Sequence, residues 1–166
     1  MTGVQTCALP ISIPERFFLD TNIAVYCFDS TAPRKQERAK DLVAHGASSG
    51  LGVVSYQVLL EFCNVASNAR RLSLSAERIM AYATQLLEPM NRVAPSTQLL
   101  AQALQIRADT AYGFYDSLII AAALEAGCTT LYSEDMQHQQ TVGRLRIVNP
   151  FLDAVHEAGA VGPVTL

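Results

Sequence analysis

Lysine is almost missing from this chain: only Lys35 and Lys40 occur, and no lysine or arginine stands between Arg107 and Arg144. Twelve Lys plus Arg against 15 Asp plus Glu give a formal charge of −3 at pH 7. That balance excludes a histone-like protein that coats nucleic acid by bulk charge, and leaves room for an enzyme that grips nucleic acid locally. Cysteine is scarce as well. Cys7, Cys27, Cys63 and Cys128 form no short pair of the kind that makes a metal knuckle or a redox motif, and they are expected to be buried, reduced thiols of a cytoplasmic protein. No apolar stretch reaches the ~20 residues that span a bilayer, so no membrane association is expected. Repeats, low-complexity tracts and interdomain linkers are also missing.

Half of the 166 residues are hydrophobic and 16% are charged, which excludes a disordered chain and fits one compact domain. The opening MTGVQTCALPIS has no Lys or Arg, hence no charged start of a secretory signal. Within it, residues Val4 to Ile11 resemble the read-through translation of a sequencing-library adapter. Residues 1–12 are therefore expected to be a non-native leader, residues 13–151 the domain, and residues 152–166, with Gly159, Gly162 and Pro163, a loosely attached tail.

Within the domain, Phe17-Phe18-Leu19 is an apolar run too short for a helix and reads as a buried strand. Helical turns follow over Asn22 to Phe28, and a charged helix over Arg34 to Ala47, opened by Pro33. Leu51 to Val54 reads as a second strand. Ser55 is placed to cap a helix with Val58, Leu59, Phe62 and Val65 on one face, and Ser75 another with Ile79, Tyr82, Ala83, Leu86 and Leu87. Arg92 to Ala94 is a short strand, and Ser96 opens a helix through Leu100, Ala103 and Leu104. Asp116 to Ala126 is nearly all apolar and stops at Gly127, as a buried helix does. Thr129 to Tyr132 and Leu145 to Val148 complete the strands. Short apolar strands alternating with helices predict an α/β domain built on a parallel sheet covered on both faces.

The informative residues are acids set in apolar text. Asp20 ends the first strand, Glu61 interrupts the face of its helix, Asp116 begins the buried helix, and Asp135 follows the strand ending at Tyr132. Carboxylates near a core cost several kcal/mol unless paired or well hydrogen-bonded, and the chain has little cation to pair them with. Each acid alone has a plainer reading: Asp116 as a helix cap, Asp20 as a cap or turn residue, Asp135 as a solvated loop acid, Glu61 as an edge residue reaching water. Together they gather where an open parallel sheet binds ligands, at the carboxyl ends of its strands. Such a set points to a hard divalent cation, Mg²⁺ or Mn²⁺.

These residues resemble a family. Phe18-Leu19-Asp20-Thr21-Asn22-Ile23, Leu60-Glu61-Phe62, Phe114-Tyr115-Asp116-Ser117-Leu118-Ile119 and Tyr132-Ser133-Glu134-Asp135 are similar to the four acidic motifs of PIN-domain ribonucleases, most of all the VapC-type toxins of bacterial toxin–antitoxin pairs. The resemblance runs in order from Arg16 to Phe151. It implies a three-layer PIN-like fold with a mainly parallel five-stranded sheet flanked by helices, a homodimer, and Mg²⁺-dependent cleavage of RNA that leaves 5′-phosphates, with Mn²⁺ as a substitute. By the same resemblance Asp20, Glu61, Asp116 and Asp135 would be the catalytic and metal-binding acids, with Asn22 and Ser133 in support. Glu134 competes with Asp135 for the fourth place, and the family's pattern favours Asp135. An antitoxin protein would cover the site.

The remaining polar residues have simpler readings. Arg34, Lys35, Arg38 and Lys40 are expected on a solvated helix face, interspersed as they are with Glu37 and Asp41, with guidance of RNA phosphates as the functional alternative. His45, His138 and His156 are assigned no catalytic role. Of Tyr112, Phe114 and Tyr115, at least two are expected to pack rather than stack on a base. A receiver-type phosphoacceptor domain or an aspartate-nucleophile phosphatase would want a late lysine, which the chain lacks. The alternative left is a catalytically silent PIN-like module that binds RNA or protein.

Overall fold

A computed structural model describes residues 15–152, so the expected leader and most of the expected tail lie outside the described residues. Strand β1 (Phe17–Leu19) is buried along its whole length and occupies the middle of the sheet. It is followed by α1 (Thr21–Tyr26), α2 (Pro33–Ser49), β2 (Gly52–Ser55), α3 (Tyr56–Ser67) and α4 (Ala76–Tyr82). After two tighter and looser turns come β3 (Asn91–Val93), α5 (Thr97–Asp109), α6 (Phe114–Glu125), β4 (Thr130–Tyr132), β5 (Thr141–Val142) and β6 (Leu145–Val148).

The sheet order is β3-β2-β1-β4-β6-β5. The first five strands in that order are parallel, and β5 pairs with β6 antiparallel. The five parallel strands match the expected sheet; β5 is an addition. It is only two residues long, and its hairpin with β6 turns at Gly143, whose φ of +58° lies in the left-handed region that favours glycine.

The chain moves outward from β1 to β2 and β3, then returns through α5 and α6 to β4 on the other side of β1. Right-handed crossovers place the helices of the two halves on opposite faces. Accordingly α1 packs on α2 and α3, and α3 on α4, while α5 packs on α6. The reversal also makes the carboxyl ends of β1 and β4 a topological switch point, the place where such sheets open a crevice. Phe18, Leu19, Ile23, Phe62, Leu131, Ile147 and Phe151 are fully buried around it. The thiols of Cys27 and Cys128 are free and buried, and that of Cys63 is free and half-buried.

Local chemistry explains the element ends. Ser75 Oγ accepts from Arg78 N and Ser96 Oγ from Leu99 N, as N-caps do. Ser55 stands at the N-cap of α3 without the expected cap bond, and its buried hydroxyl has no partner among the described residues. The single helix expected around Ile79 to Leu87 is α-helical only to Tyr82. It loosens to a π turn over Ala83–Leu87 and tightens to a 3₁₀ turn over Glu88–Met90, because Pro89 has no N–H to continue the ladder.

Helix α2 meets β2 backbone to backbone. A Cβ on Gly52 would lie 2.5 Å from Gly46 Cα and 2.9 Å from Met90 Sδ. Gly52→Ala is therefore expected to destabilise the domain by about 1–3 kcal/mol, read as a lower urea midpoint at unchanged slope; an unshifted midpoint would show that the contact can open without cost.

Candidate active site

Asp20 is the residue that connects the elements. It is 7% exposed and sits between β1 and α1, where Oδ1 accepts from Thr21 N at 2.7 Å and caps the helix. Its other oxygen, Oδ2, accepts from Ser133 Oγ at 2.7 Å and from Asn22 Nδ2 at 3.2 Å. The plain reading of Asp20 as a cap is thus correct for one oxygen, and the second faces the crevice. Asp20 N also donates to Tyr132 O at 3.1 Å, joining the end of β1 to the end of β4.

The other acids arrive from three further segments. Glu61 projects from α3, with Oε2 accepting from Thr21 Oγ1 at 2.6 Å and Oε1 from Gln57 Nε2 at 2.7 Å. Gln57 lies one turn earlier on the same helix, and its amide also reaches Tyr115 O at 3.3 Å. Asp135 lies beyond β4, where Oδ2 accepts from Asn22 Nδ2 at 3.2 Å and its own N donates to Ser133 Oγ at 3.3 Å. Asp116 is in the first turn of α6. That helix is capped by Gly113, so Asp116 is not its N-cap, and no hydrogen bond reaches its carboxylate among the described residues.

Electrostatics tie the four together. Burial pushes the Asp20 carboxyl up to about 6; the Ser133 and Thr21 bonds oppose the rise, and the charges of Glu61 and Asp135 add to it. Asp116 is raised first by burial and then by the charges of Asp135 and Glu61. Among the described residues no side-chain cation is hydrogen-bonded to or ion-paired with them. Exposure is graded, from buried Asp20 through half-buried Glu61 and Asp116 to exposed Asp135.

Glu134 turns the other way. Its carboxylate takes the Lys35 ammonium and the Tyr26 hydroxyl, and only its backbone N–H approaches the cluster, 3.4 Å from Asn22 Oδ1. Lys35 is thus an ion-pair partner of Glu134 and not the freely solvated lysine expected. The pairing carries no sequence signal, since 99 residues separate the partners. Thr21 and Gln57, which orient Glu61, also escaped the sequence reading; a donor one turn before an embedded acid was the available clue.

The remaining candidates stay apart. His45 stacks on Phe17 at 5.6 Å, and His138 Nδ1 accepts from Asn149 N at 3.0 Å. His156 lies outside the described residues. Tyr112 and Phe114 pack on the core, and Tyr115 is 67% exposed. Arg144 and Arg146 are tied to Leu124 O and Gln139 Oε1.

The donor set is all oxygen, without thiol or imidazole, which suits a hard divalent cation. Among the described residues no three His, Cys, Asp or Glu side chains close tightly enough to hold an ion by themselves. Among the described residues the hydrogen bonds to these carboxylates come from neutral donors, and none reaches Asp116.

Sheet order and acid placement together define an α/β domain with a carboxylate-lined switch point. The model of the PIN domain matches residues 17–144, and the chain belongs to that family. Its fold is similar to that of VapC20 of Mycobacterium tuberculosis, a sarcin–ricin loop cleaving toxin, at 21% identity and TM-score 0.55, covering 72% of this chain and 89% of that one. DNA-bound VapBC from Salmonella typhimurium is similar at 22% identity and TM-score 0.58, covering 81% and 97%. A toxin–antitoxin complex from Klebsiella pneumoniae follows at 17% and 0.56, covering 80% and 96%. At these identities the likeness is one of fold. No curated protein is significantly similar. Among the described residues no helix is long and apolar enough to cross a membrane.

The raised Asp20 carboxyl has a consequence for stability. Without metal, the folded protein holds a proton up to about pH 6 that the unfolded chain releases near its ordinary 3.8. Stability is therefore full below that window and falls as pH rises through it. In chelator at pH 7.5, Asp20→Asn is expected to be more stable than the wild type by about 1–3 kcal/mol, with the difference gone at pH 4. Urea unfolding at the two pH values measures this, and a pH-independent difference would remove Asp20 as its source.

Proposed function

We propose that this chain is a Mg²⁺- or Mn²⁺-dependent endoribonuclease that hydrolyses RNA phosphodiester bonds, and that it is the toxin of a toxin–antitoxin pair. The observation that carries the reading is the convergence of Asp20, Glu61, Asp116 and Asp135 from four segments at the switch point, with neutral donors and, among the described residues, no cation bonded to them. Family membership and the similar solved structures, which are named as toxins and toxin–antitoxin complexes, support it.

Asp20, Glu61, Asp116 and Asp135 would hold the cation, directly or through its waters. A bound Mg²⁺ or Mn²⁺ supplies a water of lowered pKa and neutralises charge on the phosphate. The chain's own residues do the rest. Ser133 and Asn22 hold Asp20 Oδ2 in place, and Thr21 and Gln57 hold the two oxygens of Glu61, so these two acids are oriented by the chain's own donors. Asp20 or Asp116 would also accept the proton of that water. The 2′-hydroxyl is not needed as nucleophile.

An apolar groove of about 520 Å³ runs beside the acids, lined in part by Tyr56, Leu60, Leu100, Tyr115 and Leu118. Tyr56 is 48% exposed, Leu60 54% and Leu100 43%. So large a patch on α3, α5 and α6 supports a homodimer formed over this face. The net negative pocket favours an antitoxin that brings a basic side chain to it.

Purified protein is expected to cleave RNA with Mn²⁺ or Mg²⁺ and not with EDTA, and folded Asp20→Asn and Asp116→Asn variants are expected to lose activity on the order of 10²-fold or more. Variants that cut like the wild type would leave the acids structural, and binding without cleavage would favour the silent module. In sedimentation the wild type is expected as a dimer and Leu60→Asp as a monomer; a monomeric wild type would sink the assignment of the groove.

A further inference from the structure

Two adjacent carboxylates leave the turn after β4 in opposite directions, and the fold must choose between them. Asp135 faces Asn22, in the crevice. Glu134 faces the start of α2, where the Lys35 ammonium holds one of its oxygens and the Tyr26 hydroxyl the other. Lys35 also donates to the Tyr26 hydroxyl at 3.2 Å and lies 4.8 Å from the Tyr26 ring and 5.6 Å from the ring of Phe151. The two charged side chains are only 27% and 22% exposed. They form a partly desolvated cluster in which the ammonium donates to both Glu134 and the Tyr26 hydroxyl, unlike an isolated surface ion pair.

The cluster is joined to the acids through the backbone. Ser133, Glu134 and Asp135 are consecutive: Ser133 Oγ donates to Asp20, Glu134 N approaches Asn22 Oδ1, and Asp135 accepts from Asn22 Nδ2. The turn is therefore pinned on one side by Asp20 and Asn22 and on the other by Lys35 and Tyr26. Without the second pin, Glu134 would be a loose carboxylate next to four others that already repel one another, and Asp135 would be held only by Asn22 and by its own N–H to Ser133 Oγ.

We propose that Lys35 is a positioning residue for the cation site: by holding Glu134 with Tyr26 on the far side of the turn, it fixes Asp135 as the carboxylate that faces Asp20, Glu61 and Asp116. The inference rests on the metal-site reading above, and it goes further by giving a role to a lysine and an acid outside the four-acid set.

Mn²⁺ binding to the whole chain, measured by calorimetry on variants whose unfolding midpoints are also recorded, tests it. Asp20→Asn serves as the control. Lys35→Met and Glu134→Ala each break the cluster and are expected to weaken Mn²⁺ binding about tenfold, the usual size of an effect on a ligand's supporting shell. The double variant is expected to be no weaker than either single, because both remove the same interaction. Lys35→Arg keeps the charge and the donors, so it is expected within about threefold of the wild type. If Lys35→Met and Glu134→Ala bind Mn²⁺ like the wild type while their midpoints fall, the cluster is structural and the proposal is overturned. Additive losses in the double variant would overturn it too. A wild type that binds Mn²⁺ no better than Asp20→Asn would instead remove the metal-site reading itself.

Discussion

The hydrogen bond from Ser133 Oγ to Asp20 Oδ2 spans the two central strands at the one edge of the sheet where carboxylates gather. It is a neutral donor on an acid that is buried and surrounded by like charge. The rest of the site repeats this solution: Thr21 and Gln57 hold Glu61, and Asn22 holds Asp20 and Asp135 together. Neutral donors orient the carboxylates without cancelling their charge, as a salt bridge would. The site therefore remains electrostatically unsatisfied, and a cation from outside is what would satisfy it.

Keeping basic residues out is the complementary constraint. The only lysine close by, Lys35, is occupied by Glu134, and the arginines that follow the site in sequence are tied to Leu124 and Gln139. The groove beside the acids is apolar, lined by Leu60, Leu100 and Leu118.

Much of this was legible in the sequence because it is written in short, local patterns. Phe17-Phe18-Leu19 before Asp20, and the apolar text after Asp116, carry their burial in their own composition, and the alternation of such runs with helices dictates a parallel sheet. The four acids stood out because carboxylates in apolar text need a reason. What was not legible depends on long-range packing. Strand β5 exists only because β6 offers an edge to Thr141 and Val142. The break after Tyr82 needed the backbone ladder to be counted back from Pro89. The destination of Lys35 could not be read from its neighbours Glu37 and Asp41, since its partner is almost a hundred residues away. Ser55 looked like a cap by position and residue type, yet its hydroxyl is buried without the bond.

Helix α2 is fastened at both ends. Near its last turn Gly46 lies against Gly52 of β2 with no side chain between them, and near its first turn Lys35 is fixed to Glu134. The two points are 11 residues apart in the sequence, about 16 Å along the axis at 1.5 Å per residue. A helix held in this way acts as a strut: a tilt of about 5° at the glycine contact would carry Lys35 by about 1.4 Å, roughly half the length of a hydrogen bond. The nearest neighbours of Gly46 and Gly52 are each other, Met90 and Phe17, none of them an acid. Their lack of side chains nonetheless sets the angle of a lever whose other end rests on the turn that carries Asp135.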